Sequence, residues 1–491
     1  MSGMDQPDPW LEHYGEGRRA PRRTRRLGLA LVAASLLALV AAGFAIRSHL
    51  HDGWRPPSGL GGFHACTYGD RVAARCASLR VPEDASRPGG RQISLRVAII
   101  PATRQPARGA LFYLEGGPGG AASARAVSVN EVFAKISEFR DLVLVDQRGT
   151  GGSDALACPQ EHVTATDARA VTAYLRRCFA RLGDRARFLT STAAADDLEG
   201  VRRELGYGRV DVYGSSYGAT LAQLYLRRHP RAVRTLTLDS ASLPSVPVYE
   251  LAARNAERAL RVQIARCRAE ARCRAAFPDT REELERVLAQ RSPAESDRLA
   301  TAISVLLRSP EDAARVPRVI HAAATGDAAP LLREYAAHVG RELDPRARLA
   351  MAWMILCGER WARFDASATA RLSSGDYLAR ATLARARLFG RACAAVPAGA
   401  GARTPGGPWS SHVPVVLLAG GADPQDPAGN LRGWRSTFPD GRLIIVPGAA
   451  HGVIAYGCLR LVVARFVAAG SARGLDAGCA RRVPLPPFEL S

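Results

Sequence analysis

The sequence predicts an α/β fold: a mostly parallel central sheet with helices on both faces and a helical block inserted between two of its strands. Three observations predict it. From residue 93 to 240 apolar strand-like runs alternate with helix-like segments; from about 241 to 400 the alternation stops and only helical patterning remains; from 412 to 452 two further strand-to-loop transitions follow. At 491 residues the chain is longer than one hydrophobic core serves, so a main domain with an added one is expected.

The N-terminus comes first. Residues 1–26 are polar and end in RRAPRRTRR, whereas residues 27–46, LGLALVAASLLALVAAGFAI, are uncharged and almost wholly apolar. A helix of that length, at about 1.5 Å per residue, matches the roughly 30 Å core of a bilayer. Arg18, Arg19, Arg22, Arg23, Arg25 and Arg26 precede the run and only Arg47 follows closely. The positive-inside rule therefore puts residues 1–26 in the cytoplasm and everything after residue 47 outside. The run reads either as a retained transmembrane anchor or as a signal segment cut near Val40–Ala42 or Ala41–Gly43, where small residues sit suitably.

Residues 47–62 are rich in glycine and proline and read as a linker. The first part of the core is expected over 63–240, the helical cap over 241–404, and the second part of the core with the C-terminal tail over 405–491. Within this frame ISLRVAII (93–100) alternates as a half-buried strand does. ALFYLEGGPGG (110–120) and DLVLVDQRGTGGS (141–153) are short apolar runs that enter glycine loops. TAAADDLEGVRRELG (192–206) has helical spacing and Gly206 as its stop; RVDVYG (209–214) is a strand; SYGATLAQLYLRRHP (216–230) is a helix ended by Pro230; VRTLTLDS (233–240) is a strand. Alanine, arginine and leucine then dominate until AVPAGAGARTPGGP (395–408) leads out of the block. HVPVVLLAGGADP (412–424) and GRLIIVPGAAHG (441–452) resume the sheet.

The net charge of +21 suggests nucleic acid, but the distribution argues against it. Only Lys135 is a lysine, the remaining basic residues are scattered arginines, and outside the N-terminus no long basic run occurs. A solvated surface accounts for this, and no nucleic-acid partner is expected. The ten cysteines fall in close sequential pairs, 66/76, 158/178, 267/273, 357/393 and 458/479, which in an oxidising compartment read as five local disulfides. No CxxC or Cys/His cluster suggests a metal, and no cofactor is expected.

The chemistry is carried by the loops. Gly214-Ser215-Ser216-Tyr217-Gly218 lies between a strand and a helix. A serine hydroxyl is a poor nucleophile and needs both exposure and a base in contact. A sharp strand-to-helix turn exposes it, and glycines two residues to either side remove the clash the turn would create. Ser216 also opens the helix, whose amide dipoles favour developing negative charge. The oxyanion needs two backbone donors: Tyr217, after the serine, and Gly117, in the EGGPGG loop after the strand ALFYL. In this arrangement the acid and then the histidine follow the serine in the chain. Of ten histidines, His451 in GAAHG follows the last strand on a small-residue loop. Asp423 follows the preceding strand and would hold the imidazole tautomer, with Asp426 as the fallback.

GGPGG, DQRGTGGS, GSSYG, ADPQDP and AHG, in this order, resemble α/β-hydrolases of the prolyl aminopeptidase and tripeptidyl aminopeptidase type, serine peptidase family S33. The resemblance runs from about residue 60 to 480. It implies the α/β-hydrolase fold, Ser216, Asp423 and His451 as the triad, Gly117 and Tyr217 as the oxyanion hole, and a helical cap that selects peptides with a free N-terminus. Prolyl aminopeptidases usually carry histidine where Glu115 stands, which tilts the resemblance to the tripeptidyl branch; Asp426 stands where the acid loop often has threonine. A protonated amine calls for a carboxylate, for which Glu359 and Glu250 are the candidates. A carboxylic-ester hydrolase would use the same machinery, and a non-catalytic surface binding protein is the third possibility.

Overall fold

The computed structural model describes residues 54–156, 158, 168–338, 350–361, 364–397 and 407–490. The polar tail 1–26, the apolar run 27–46, residues 47–53 of the expected linker and residues 398–406 of the segment leaving the insertion lie outside the described residues. Among the described residues no helix is long and apolar enough to cross a membrane.

The sheet has nine strands: β1 (His64–Tyr68), β2 (Val72–Pro82), β3 (Gln92–Ile100), β4 (Ala110–Leu114), β5 (Asp141–Val145), β6 (Val210–Ser215), β7 (Val233–Asp239), β8 (Val415–Gly420) and β9 (Gly441–Val446). Their spatial order is β1-β2-β3-β5-β4-β6-β7-β8-β9. The pairs from β1 to β5 through β3 are antiparallel, and all pairs from β5 through β4, β6, β7 and β8 to β9 are parallel. Residues in β5 (DLVLV) and β8 (VVLLAG) are buried at every position. Their unbroken apolar runs fit strands covered on both faces, where neither face has to stay polar. Strand order reverses where β4 meets β6, the kind of edge at which open α/β sheets bind ligands.

Helices α1 (Ser191–Glu204) and α2 (Tyr217–Arg228) lie against one another beside the sheet. Thr190 caps α1 by accepting a hydrogen bond from the Ala193 amide at 3.2 Å, and Gly206 ends the segment with φ +74°. Between β7 and β8 every regular element among the described residues is helical. These include α3 (Ala252–Ala269), α4 (Pro293–Leu306), α5 (Val316–Ala324) and α6 (Ala379–Cys393). They bury Leu260, Leu284, Leu299, Ile303, Val319 and Ile320 in a cluster of their own. A last helix, α7 (Leu459–Ala469), packs Val462, Val463 and Phe466 into the sheet cluster with Leu111, Leu144 and Val416. Insertion and sheet together form one compact unit, Arg55–Ser491.

The DQRGTGGS stretch after β5 is a structural knot. Arg148 donates to both carboxylate oxygens of Asp197 at 2.7 Å and to the carbonyls of Pro82, Glu83 and Phe188. The Asp146 carboxylate accepts from the Ser123 amide and hydroxyl and from the Gly152 amide. Five disulfides are present, Cys66–Cys76, Cys158–Cys178, Cys267–Cys273, Cys357–Cys393 and Cys458–Cys479, matching the sequential pairing.

Candidate active site

The C-terminal ends of β4, β6, β7, β8 and β9 carry the loops singled out in the sequence. Ser216 joins β6 to α2 with φ 55° and ψ −123°, a conformation that costs a non-glycine residue on the order of 1–3 kcal/mol. The flanking glycines have a geometric reason. A Cβ at Gly214 would collide with the carbonyl of Gly218, and one at Gly218 with the carbonyl of Leu114 at the end of β4. Both obstacles are backbone, so no side-chain rearrangement relieves them.

The EGGPGG loop sits directly over the elbow: a Cβ on Gly116 would lie 3.2 Å from Ser216 Cβ. Gly117 has φ +117°, and Gly120 donates back to the Gly116 carbonyl at 3.2 Å. Gly117, Pro118, Ser216 and Tyr217 line one side of a cavity of about 290 Å³. The insertion supplies the opposite wall, including Tyr249, Thr301, Arg385 and Phe389.

The acid and histidine loops are packed backbone to backbone. A Cβ at Gly420 would strike the Ala450 carbonyl, and one at Gly421 would lie 2.9 Å from the Gly448 amide nitrogen. Gly421 and Ala422 donate to the carbonyls of Val446 and Ala449, both at 2.8 Å. His451 Nδ1 thereby lies 2.9 and 3.1 Å from Asp423 Oδ2 and Oδ1. Asp423 is 1% exposed, and its Oδ1 accepts from the amides of Gln425 and Asp426 at 2.8 and 3.0 Å. Burial works against charge on the imidazole, but Asp423, then Asp426 and Asp239, outweigh it and raise His451 to about 9. Burial would raise the Asp423 carboxyl, yet the imidazole and the two amides hold it below the ordinary range.

Asp426 accepts from the Ser242 hydroxyl at 2.5 Å and also lines the cavity. Glu250 and Glu359 share a side cavity of about 170 Å³, which has Thr220, Val248 and Tyr249 in common with the main one. Both carboxylates are engaged: Glu250 accepts from the Asp365 amide at 2.9 Å, and Glu359 accepts from the Ser191 amide and hydroxyl at 2.7 and 2.6 Å. Ser191 Oγ is also 2.9 Å from the Tyr217 hydroxyl, a link from side cavity to elbow that sequence reasoning missed. Asp239, at the end of β7, was missed too. Its carbonyl accepts from the Ser216 amide at 3.0 Å and its carboxylate from the Val453 amide at 2.9 Å. Only its place at a strand end beside the elbow could have marked it. Among the described residues no group of His, Cys, Asp and Glu side chains could hold a metal ion.

Residues 109–260 match the family described as alpha/beta hydrolase fold, and residues 381–479 the one described as TAP-like protein. Tripeptidyl aminopeptidase of Streptomyces coelicolor is 35% identical over 192 residues, covering 35% of this chain and 36% of that protein. Serine protease Hip1 of Mycobacterium tuberculosis is 29% identical over 205 residues, covering 38% and 39%. Carboxylesterase B of the same organism is 36% identical over 164 residues, covering 33% and 28%. The chain thus spans little more than a third of the length of the first of these relatives. Among solved structures, proline iminopeptidase of Mycobacterium smegmatis is 18% identical with a TM-score of 0.35, over 80% of this chain and 98% of that one.

Proposed function

We propose that this chain, which belongs to the α/β-hydrolases and carries a TAP-like C-terminal segment, is a serine hydrolase that releases N-terminal residues or short peptides from peptides with a free amino terminus. The observation that carries this reading is the strained Ser216 on the cavity wall, with the histidine of the next loop cluster held by a buried carboxylate. In the proposed reaction Ser216 Oγ attacks the substrate carbonyl and passes its proton to His451 Nε2. Asp423 fixes the other ring nitrogen and stabilises the imidazolium without taking the proton. The amides of Gly117 and Tyr217 donate to the oxyanion, each worth about 3 kcal/mol in the transition state. Collapse breaks the C–N bond, the leaving amine takes the proton from the imidazolium, and water hydrolyses the acyl-enzyme by the same route.

Glu250 and Glu359 are the proposed amine partners, since they bring negative charge to a cavity continuous with the cleft. A second reading, carboxylic-ester hydrolysis, is favoured by one observation: both oxygens of Glu359 already accept hydrogen bonds from Ser191. Five disulfides support an oxidising, extracytoplasmic setting for the catalytic unit, with residues 27–46 as its membrane anchor or its cleaved signal. The test is a panel of aminoacyl, tripeptidyl and N-blocked reporter substrates. Loss of turnover on N-blocking supports the aminopeptidase, and indifference to it selects the esterase. A chain that hydrolyses neither and takes no fluorophosphonate label is not a serine hydrolase.

A further inference from the structure

Asp239 is a fully buried carboxylate at the end of β7 that the reaction above does not use. Its oxygens accept from the Val453 amide at 2.9 and 3.1 Å, the Ile454 amide at 3.0 Å and the Tyr213 hydroxyl at 2.8 Å. The next residue, Ser240, accepts from the Gly452 amide at 2.8 Å. Two adjacent residues of β7 and its loop therefore take all three backbone amides that follow His451. The same Asp239 receives the Ser216 amide on its carbonyl. One residue thus touches both the elbow and the imidazole loop.

A second carboxylate answers it across the sheet. Tyr113 and Tyr213 are register partners on β4 and β6, with rings stacked 5.6 Å apart and 9° from parallel. Phe133 meets both edge-on. The Tyr113 hydroxyl donates to Glu115 Oε2 at 2.5 Å, and Glu115 is the foot of the glycine loop. Burial raises both phenols, so each stays a proton donor and each bond keeps its direction. Two parallel strands thus carry the same pattern, a tyrosine donating to a carboxylate at a strand end beside the elbow, with the rings stacked between.

We propose that Asp239 is a positioning residue: with Tyr213 it fixes the loop bearing His451 to the strand bearing Ser216, and the stacked Tyr113 extends this brace to Glu115 and the glycine loop. The inference rests on Ser216 and His451 being nucleophile and base. Three loops from separate strands must agree to within a fraction of an ångström, because a 1 Å error at the reacting atoms costs on the order of 100-fold in rate. A carboxylate is the group that satisfies several converging N–H and O–H donors at once. An asparagine in its place would turn an amide group toward those donors.

The full chain, with Asp239→Asn, Tyr213→Phe, Tyr113→Phe and their pairwise combinations, tests this on an activated ester. Asp239→Asn is expected to lower kcat by roughly 10- to 100-fold with KM within about twofold, and each Tyr→Phe by about threefold. The losses should be non-additive, so that Tyr213→Phe costs little once Asp239→Asn is present, and Tyr113→Phe costs little once Tyr213→Phe is present. Folded Asp239→Asn with wild-type kcat, or additive losses, would overturn the brace; should that variant not fold, the Tyr113/Tyr213 pair decides alone. A wild-type chain that neither turns over nor labels, or Ser216→Ala that labels fully, removes the underlying reading instead.

Discussion

His451 Nδ1 lies 2.9 Å from Asp423 Oδ2, a carboxylate almost wholly out of water. This pairing raises the imidazole to about 9 despite its burial, and an imidazole serves as a general base only in its neutral form.

The first prediction follows from that sign. The neutral fraction of His451 grows as pH rises, so fluorophosphonate inactivation should quicken by roughly tenfold per pH unit below about 9 and level off above it. Asp423→Asn should lower the plateau and move the midpoint to lower pH, because it removes the principal charge that raises the ring. The stability contributed by the imidazolium is fully present below its unfolded pKa and is lost as pH rises through about 9. A flat rate–pH profile between 6 and 9 would show that His451 is not the titrating base.

The two aspartates of the acid loop should separate cleanly. Asp423→Asn is expected to cost roughly three to four orders of magnitude in kcat, through loss of tautomer and imidazolium support. Asp426→Asn, whose partner is the Ser242 hydroxyl, should cost less than about tenfold. Steady-state kinetics on one ester substrate compares them directly.

Gly218→Ala should be among the most damaging small substitutions. The added carbon meets the Leu114 carbonyl, and neither β4 nor the elbow can yield without moving the site. A loss of more than about 3 kcal/mol, or failure to fold, is expected from such overpacking. Gly208→Ala, with open space at its Cβ, should change stability by less than about 0.5 kcal/mol. Thermal denaturation reads both.

Asp197→Ala leaves the buried Arg148 guanidinium without its carboxylate, at a cost of roughly 3–5 kcal/mol. Activity at low temperature should survive, since neither residue lines the cavity. A large loss of kcat with an unchanged melting temperature would assign the DQRGTGGS stretch a direct part in the reaction instead.

The Cys458–Cys479 bridge closes a loop with a sequence separation of 21, so replacing both cysteines by serine should cost about 3 kcal/mol. An unaltered melting temperature for the double variant would show that packing of α7 suffices.

How much of this was legible varies with how local the cause is. Strands β4 to β9 announce themselves because each is an apolar run that breaks into glycine or aspartate, and those glycines are where backbones touch. β1 and β2 went unread: His64–Tyr68 is mostly exposed edge, and Val72–Pro82 mixes small, polar and charged residues without a clear period. The loops carrying Ser216, Asp423 and His451 could be singled out because their order and spacing are themselves the signal. Asp239 and Tyr213 gave none, since the partners of Asp239 lie 26 and 214 residues away in the chain. For Glu359 the residue type was visible but its occupancy was not. That Ser191, 168 residues earlier, takes both oxygens is a fact of tertiary packing alone.

The amide of His451 donates to the carbonyl of Arg308, which belongs to the helical insertion and lines the cleft. Any swing of the insertion that widened the entrance would therefore tug on the backbone of His451 itself. Under the proposed mechanism an open insertion would displace the base, so a guest too bulky to let the insertion settle would be held without being cut.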